Sequence, residues 1–273
     1  MFIWKITLSQ NERKVVAITG AAGGIGFESA LEFYNNGWDL SLCDIDGALM
    51  SQKLDQNKFN SNRILSSEFD IAKRENCETW IGETVERFGR LDCLICNAGI
   101  AHRSLFKNTD PEVILKVMSI NFNSVVFLCH AAIPHLVKAK GSLIGISSVA
   151  GFSPLYGRTG YVSSKHALSG FFETIRSELE PELHVCLVYP AFVKTLFDKN
   201  TMDGDGKKLT REKPTIGNHL LPEVVAKTIF RSVARREKRI VLSPIAKLSY
   251  LISRLFPNFF TWIMKKNTQS EFL

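Results

Sequence analysis

The sequence predicts a single-domain, doubly wound α/β fold: a mostly parallel seven-stranded sheet with helices on both faces. Three observations predict it. Short apolar runs alternate with helix-spaced segments along most of the chain, an order that demands parallel strands joined by right-handed crossovers. A glycine cluster, Gly20 to Gly26, follows the first run. Polar residues such as Asp44, Asp70 and Asn97 close later runs, at the sheet edge where doubly wound folds hold ligands.

The elements follow in order. KVVAIT (14–19) reads as a buried strand, and 25–36 as a helix with Gly37 at its C-terminus. Strand 38–44 and helix 47–57 come next, then strand 63–70, helix 73–88 and strand 91–97. Asp110 and Pro111 open a long helix reaching about Lys138, with a kink expected at Pro134. Strand 142–147, helix 160–180 and strand 183–189 follow, the last ended by Pro190. Residues 198–218 are polar and read as a mobile loop, 222–235 as a helix and 239–242 as a seventh strand. The domain is placed at 12–245, with 246–273 as an apolar, basic extension.

Composition narrows the function. With 45 % hydrophobic and 22 % charged residues, the chain is neither disordered nor fibrous. A net charge of +7 fits nucleic acid, anionic lipid or an anionic cofactor, but no nucleic-acid motif is present and none of that class of partner is expected. Six cysteines scattered through apolar segments point to reduced thiols and a cytoplasmic setting. Cys93 and Cys96 form a C-x-x-C, yet a second pair is missing and the segment reads as a strand. The six histidines are not at ligand spacing, so structural roles and no metal site are expected. MFIWKITLSQ lacks the features of a signal peptide, and no uninterrupted apolar stretch reaches the length of a membrane span.

The chemistry begins at Thr19-Gly20-Ala21-Ala22-Gly23-Gly24-Ile25-Gly26, between strand and helix. Glycine lets the backbone turn tightly against a phosphate, and the helix N-terminus offers free N–H groups to a pyrophosphate. Asp44, ending the second strand, can accept from both ribose hydroxyls and would repel a 2′-phosphate, so NAD is expected in preference to NADP. Tyr161 and Lys165 stand four apart on a helix and share a face. An ammonium near a phenol favours the phenolate and makes it a usable acid/base at neutral pH. Ser148 lies thirteen residues upstream, at a strand end.

Taken together, TGAAGGIG, NAG (97–99), INFNSVVF, ISSVAG, YVSSK and YPAFVKT resemble the classical short-chain dehydrogenase/reductase family over about residues 12–245. Two departures are visible: Cys96 replaces the family's first Asn before Asn97, and Ala191 the glycine after the sixth strand. The resemblance implies a Rossmann fold and an oxidoreductase acting on CH–OH groups. Tyr161 would be the general acid/base, Ser148 would orient the substrate oxygen, Lys165 would hold the nicotinamide ribose and tune Tyr161, and Asn121 would hold a water. Gly20, Gly23, Gly24, Ile25 and Gly26 would cradle the pyrophosphate, and Asp44 and Ile45 would meet the ribose. Asp70 and Ile71 would meet the adenine, Asn97, Ala98 and Gly99 the adenosine ribose, and Pro190, Val193 and Thr195 the nicotinamide end. A homodimer or homotetramer formed through helices 110–138 and 160–180 is also implied.

Phe152, Tyr156 and Phe192 are expected to line a substrate pocket, beside Leu155 and Phe197. Their apolar character fits a lipophilic alcohol or ketone of steroid, retinoid or fatty-acyl type, although such residues also suit a core. An NADP(H)-dependent ketoreductase, or a nucleotide-binding sensor without turnover, is the alternative. The extension is rich in Leu, Ile, Phe and Trp and carries Lys247, Arg254, Lys265 and Lys266. Peripheral contact with a membrane surface and packing on the cleft or a neighbouring subunit are equally open for it.

Overall fold

The computed structural model describes residues 13–193, 195, 197, 201–209 and 220–272. Strands β1 (Val15–Thr19), β2 (Asp39–Asp44), β3 (Ile64–Glu68), β4 (Cys93–Cys96), β5 (Ser142–Ile146), β6 (His184–Tyr189) and β7 (Arg239–Val241) form one seven-stranded sheet. The order is β3-β2-β1-β4-β5-β6-β7, and every pairing is parallel. The strand order reverses between β1 and β4, successive strands being added on opposite sides, which opens a crevice at their carboxyl ends.

Helices cover both faces. On one face α3 (Arg74–Phe88), α5 (Ser124–Lys138) and α6 (Thr159–Leu179) bury Trp80, Leu128 and Phe172 against Ala17, Leu94, Leu143 and Val185. On the other, α1 (Gly24–Asn35), α2 (Gly47–Gln56) and α7 (Pro222–Arg235) bury Phe33, Met50 and Ile229 against Ile18, Leu40, Ile95 and Val188. Neighbouring strand residues point to opposite cores, which explains the unbroken apolar runs. Each large side chain so buried stabilises the fold by about 1.5–3 kcal/mol. Gly145 lets Phe172 lie directly on β5; a Cβ there would come within 2.7 Å of the ring. The same alternation puts Cys93 and Cys96 in different cores, so this C-x-x-C is not a pair.

The long helix departs from expectation. It is α4 (Pro111–Met118), a π-helical turn at Ser119–Asn123, then α5, which continues through Pro134 without ending. The helix thus runs on through Pro134, and its irregular turn lies about a dozen residues before that proline. By length and composition the 111–138 stretch could cross a membrane, contrary to the sequence reading. It packs instead on α3 and α6, with Val117, Val125, Leu128 and Leu136 buried.

Residues 201–209 are fastened rather than loose. Met202 donates to the Ala101 carbonyl at 2.9 Å, Arg103 donates to Met202 at 2.8 Å, and Asp110 to Gly204 at 2.9 Å. The rest of the expected loop, with residues 1–12, lies outside the described residues. The extension forms α8 (Pro244–Leu255) and α9 (Pro257–Thr268). Its terminal Phe272 returns to the body, packing on Tyr156 at 5.6 Å between ring centres and on Gly157.

Candidate active site

The glycine-rich turn follows β1 and is built for close approach. Gly20 has a φ of +68°, and a Cβ on it would sit 2.9 Å from the Asn97 amide and from the Ala98 backbone. A Cβ on Gly26 would overlap the Gly20 carbonyl oxygen. Both positions therefore demand glycine. Asn97 clamps the turn to β4, its Nδ2 donating to the Thr19 and Gly20 carbonyls at 2.9 and 3.1 Å. Thr19 Oγ1 accepts from the Asn97 and Ala98 amides, both at 3.0 Å. Gly23 precedes α1 with no side-chain cap, so the first N–H groups of α1 face the turn as a cradle for an anion.

The strand ends beside it are joined. Asp44 accepts from the Ala22 amide at 2.8 Å and from the Asp46 amide at 3.0 Å. Ile45 is 70 % exposed next to it, an apolar surface at the strand end. Phe69 donates to the Asp44 carbonyl at 3.1 Å, bringing up Asp70, whose carboxylate accepts from Ala72 at 2.9 Å, while Ile71 is buried. Thr195 approaches from beyond β6, its methyl 2.9 Å from where a Cβ of Gly24 would stand. Thr195 thus meets the turn at Gly24, and Asp44 meets it at Ala22. Sequence reading missed Lys53: from α2 its ammonium comes within 3.7 Å of the Cβ position of Gly23 and lies 4.7 Å over the Phe27 ring. The signal was indirect, since Lys53 is distant from Asp44 in sequence.

Around α6 a second group converges. Lys165 is 4 % exposed, donates to the Ile146 carbonyl at 2.9 Å and lies 5.9 Å from the centre of the Tyr161 ring. Burial pulls its ammonium down to about 8, with nearby Cys96 acting weakly the other way. Gly99 borders the group: a Cβ on it would stand 3.1 Å from Asn121 Oδ1 and 3.7 Å from Lys165 Nζ. Asn121, in the π turn, accepts from the Ile100 amide at 2.8 Å and donates to the Ile100 carbonyl and Ser164 Oγ, both at 2.9 Å. Ser164 in turn donates to the Tyr161 carbonyl at 2.8 Å. A side chain expected to hold water therefore also locks the β4 loop to α6. Ser148, two residues past Ile146, caps a short 3-10 turn by accepting from Ala150 at 3.2 Å. The segment beyond β6 closes this side: Pro190 is buried and accepts from Val149 at 3.3 Å, and Val193 bridges to Leu220.

The expected pocket residues divide. Phe152 is 8 % exposed and packs on Tyr189 and Tyr250 in the core. Its ring follows the turn after Ser148 inward and meets α8. Tyr156 is half-buried against Phe272, Phe192 is half-buried with its carbonyl accepting from Leu220 at 2.8 Å, and Phe197 lies 5.9 Å from Tyr161.

Residues 14–206 match the short chain dehydrogenase family. The chain belongs to that family. As a short-chain dehydrogenase it is an NAD(P)-dependent oxidoreductase on a Rossmann-type fold. Its relatives include the dehydrogenase/reductase SDR family member 7B of Xenopus laevis, 33 % identical over 94 % of this chain and 84 % of the relative. The 11-beta-hydroxysteroid dehydrogenase-like 2 of Arabidopsis thaliana is 33 % identical over 92 % of this chain and 80 % of that one. Among solved structures, a short-chain dehydrogenase/reductase from Burkholderia phymatum in complex with NAD has the same fold, with a TM-score of 0.79 and 20 % identity over 90 % of this chain and 95 % of that one. A short-chain dehydrogenase from Mycobacterium paratuberculosis bound to NAD has a TM-score of 0.73 and 25 % identity over 86 % and 97 % of the two chains.

Proposed function

We propose that this short-chain dehydrogenase interconverts a lipophilic alcohol and its ketone with NAD(H), using Tyr161 as general acid/base. One observation carries the reading: a buried Lys165 ammonium beside the Tyr161 ring, held by Ile146 at the end of β5 and bordered by Gly99 at the end of β4. A phenol next to a desolvated cation is stabilised as phenolate. In reduction Tyr161 gives its hydroxyl proton to the developing alkoxide; in oxidation it takes the proton back. Ser148 donates to the same oxygen and fixes its direction.

The residues present suit a dinucleotide. The uncapped N-terminus of α1 and the two obligate glycines take the pyrophosphate. Asp44, beside Ile45, takes the ribose hydroxyls, Asp70 and Ile71 the adenine, and Val193 and Thr195 the carboxamide. The dinucleotide supplies the hydride chemistry; the protein orients, excludes water and moves the proton. Asp44 supports NAD(H) as the form used. Lys53 beside Gly23 supports NADP(H) as the second reading.

A lipophilic substrate is supported by Tyr156, Phe197 and Phe272 around the site, and by relatives named for hydroxysteroid dehydrogenases. The extension fits peripheral contact with an anionic membrane surface. Ile245, Leu248, Leu251, Leu255, Phe256, Phe259 and Trp262 are exposed, Lys247, Arg254, Lys265 and Lys266 accompany them, and residues 244–270 contain no acid. The six buried, unpaired cysteines suit a cytoplasmic setting. A homodimer or homotetramer through α4, α5 and α6 completes the reading.

Turnover of lipophilic alcohols and ketones with both nucleotides, measured for wild type and Tyr161→Phe, tests the chemistry. Tyr161→Phe should keep NADH affinity and lose nearly all turnover; unchanged activity refutes the assignment. Leu251→Asp with Trp262→Asp should retain turnover and stop sedimenting with phosphatidylglycerol vesicles. Wild type that never sediments with them refutes the membrane contact.

A further inference from the structure

His102 lies on the segment that leaves Gly99, outside every motif used above, and is completely buried. Its Nε2 accepts from the Gly160 amide at 2.8 Å. Gly160 is the residue immediately before Tyr161. The first N–H groups of a helix have no partner within it, and Arg158, at the N-cap of α6, supplies no side-chain cap. An imidazole from another segment thus fills the capping place.

The proton arrangement can be read off the hydroxyls. Thr109 Oγ1 donates its single proton to the Leu105 carbonyl at 2.8 Å. Ser104 Oγ, 2.7 Å from Thr109 Oγ1, must then be the donor of that pair. Its oxygen is left to accept from His102 Nδ1 at 3.3 Å. The proton of the ring is therefore on Nδ1, and Nε2 is bare toward Gly160. Burial and the Arg158 guanidinium both hold the imidazole neutral. Gly160 completes the fit: a Cβ there would stand 3.0 Å from Nε2 and 3.2 Å from the Ile114 backbone.

The same segment holds the other walls of the site. The Ser104 backbone amide donates to the Gly157 carbonyl at 3.0 Å, and the backbones of Ala101 and Arg103 pair with Met202. We infer that His102 is a positioning residue: it fixes the first turn of α6 against the loop after β4, and so sets where the Tyr161 hydroxyl stands relative to Ser148 and the nicotinamide end of the crevice. This rests on Tyr161 being the acid/base. Small displacements of a reacting group can cost about a hundredfold in rate, so the bond matters to turnover more than to binding.

The test compares the holoenzyme of wild type, His102→Phe, His102→Gln and Tyr161→Phe. His102→Phe should lower kcat at least about tenfold, with KM and the Kd for NADH within about twofold. His102→Gln, whose amide oxygen reaches about as far as Nε2, should recover most of kcat. A His102→Phe enzyme with wild-type kcat, or a His102→Gln enzyme as slow as His102→Phe, overturns the inference. Should His102→Phe not fold, nitrogen NMR of the wild-type imidazole decides: a proton on Nδ1 alone upholds the arrangement, and one on Nε2 overturns it. An active Tyr161→Phe would instead strike the underlying acid/base reading, whatever the His102 variants do.

Discussion

Lys165 and Ile146 are joined across the boundary of α6 and β5, ammonium to carbonyl, at 2.9 Å. Folding moves the Lys165 ammonium from an ordinary 10.5 to about 8 because it is buried. Between those values the unfolded chain binds more protons, so stability rises with pH across the window, and below about 8 the cost of the buried charge is fully present. Lys165→Met should therefore be more stable than wild type at pH 7, by about 2 kcal/mol after the unpaired Ile146 carbonyl is counted. The difference should shrink toward pH 10. Denaturant unfolding at the two pH values checks this, and a gain that does not change with pH counts against it.

Gly26→Ala should pull apart the glycine-rich turn, because the added methyl overlaps the Gly20 carbonyl. We expect a loss of about 2 kcal/mol in stability and at least tenfold in NADH affinity. Gly82→Ala is the control. Its site on α3 is exposed and empty, so it should stabilise by about 0.5–1 kcal/mol. Melting curves and NADH fluorescence titration read both.

Asp44→Ala removes the acceptor for the Ala22 and Asp46 amides and the negative charge facing a 2′-phosphate. The ratio of NADH to NADPH affinity should move toward NADPH by about tenfold, the scale of one hydrogen bond to a charged group. Lys53→Ala should move it the other way. Titration with both nucleotides decides, and an unchanged ratio in Asp44→Ala would remove that residue from cofactor choice.

Asn121→Ala breaks three hydrogen bonds and strands both the N–H and C=O of Ile100. A loss of about 2–4 kcal/mol is expected, visible as a lower urea midpoint. Retention of wild-type stability would show that the loop after β4 is held elsewhere.

The succession of strands and helices along the chain, the tight glycine turn and the closeness of Tyr161 to Lys165 were legible because they leave local marks. Apolar runs such as VVAIT, a glycine at each forced turn and a Tyr four before a Lys are short-range patterns. The π turn left none: Ser119–Asn123 continues the apolar spacing of a plain helix, and Pro134 drew the eye instead. The packing of Phe152 on Tyr189 and Tyr250 left no local mark, since both partners lie far along the chain. His102 and Lys53 reach the site from other elements, and spacing carries no information about such meetings.

The π turn also sets how this stretch can vary. Each helical residue advances the chain by about 100°, so deleting one residue between Pro111 and Asn123 would swing Val125, Leu128, Ala132 and Leu136 away from the sheet they now face. Side chains on the outer surface of this stretch can be exchanged without disturbing that core. Its residue count cannot, since a single step out of phase would carry Asn121 from the crevice and unseat the core beneath it.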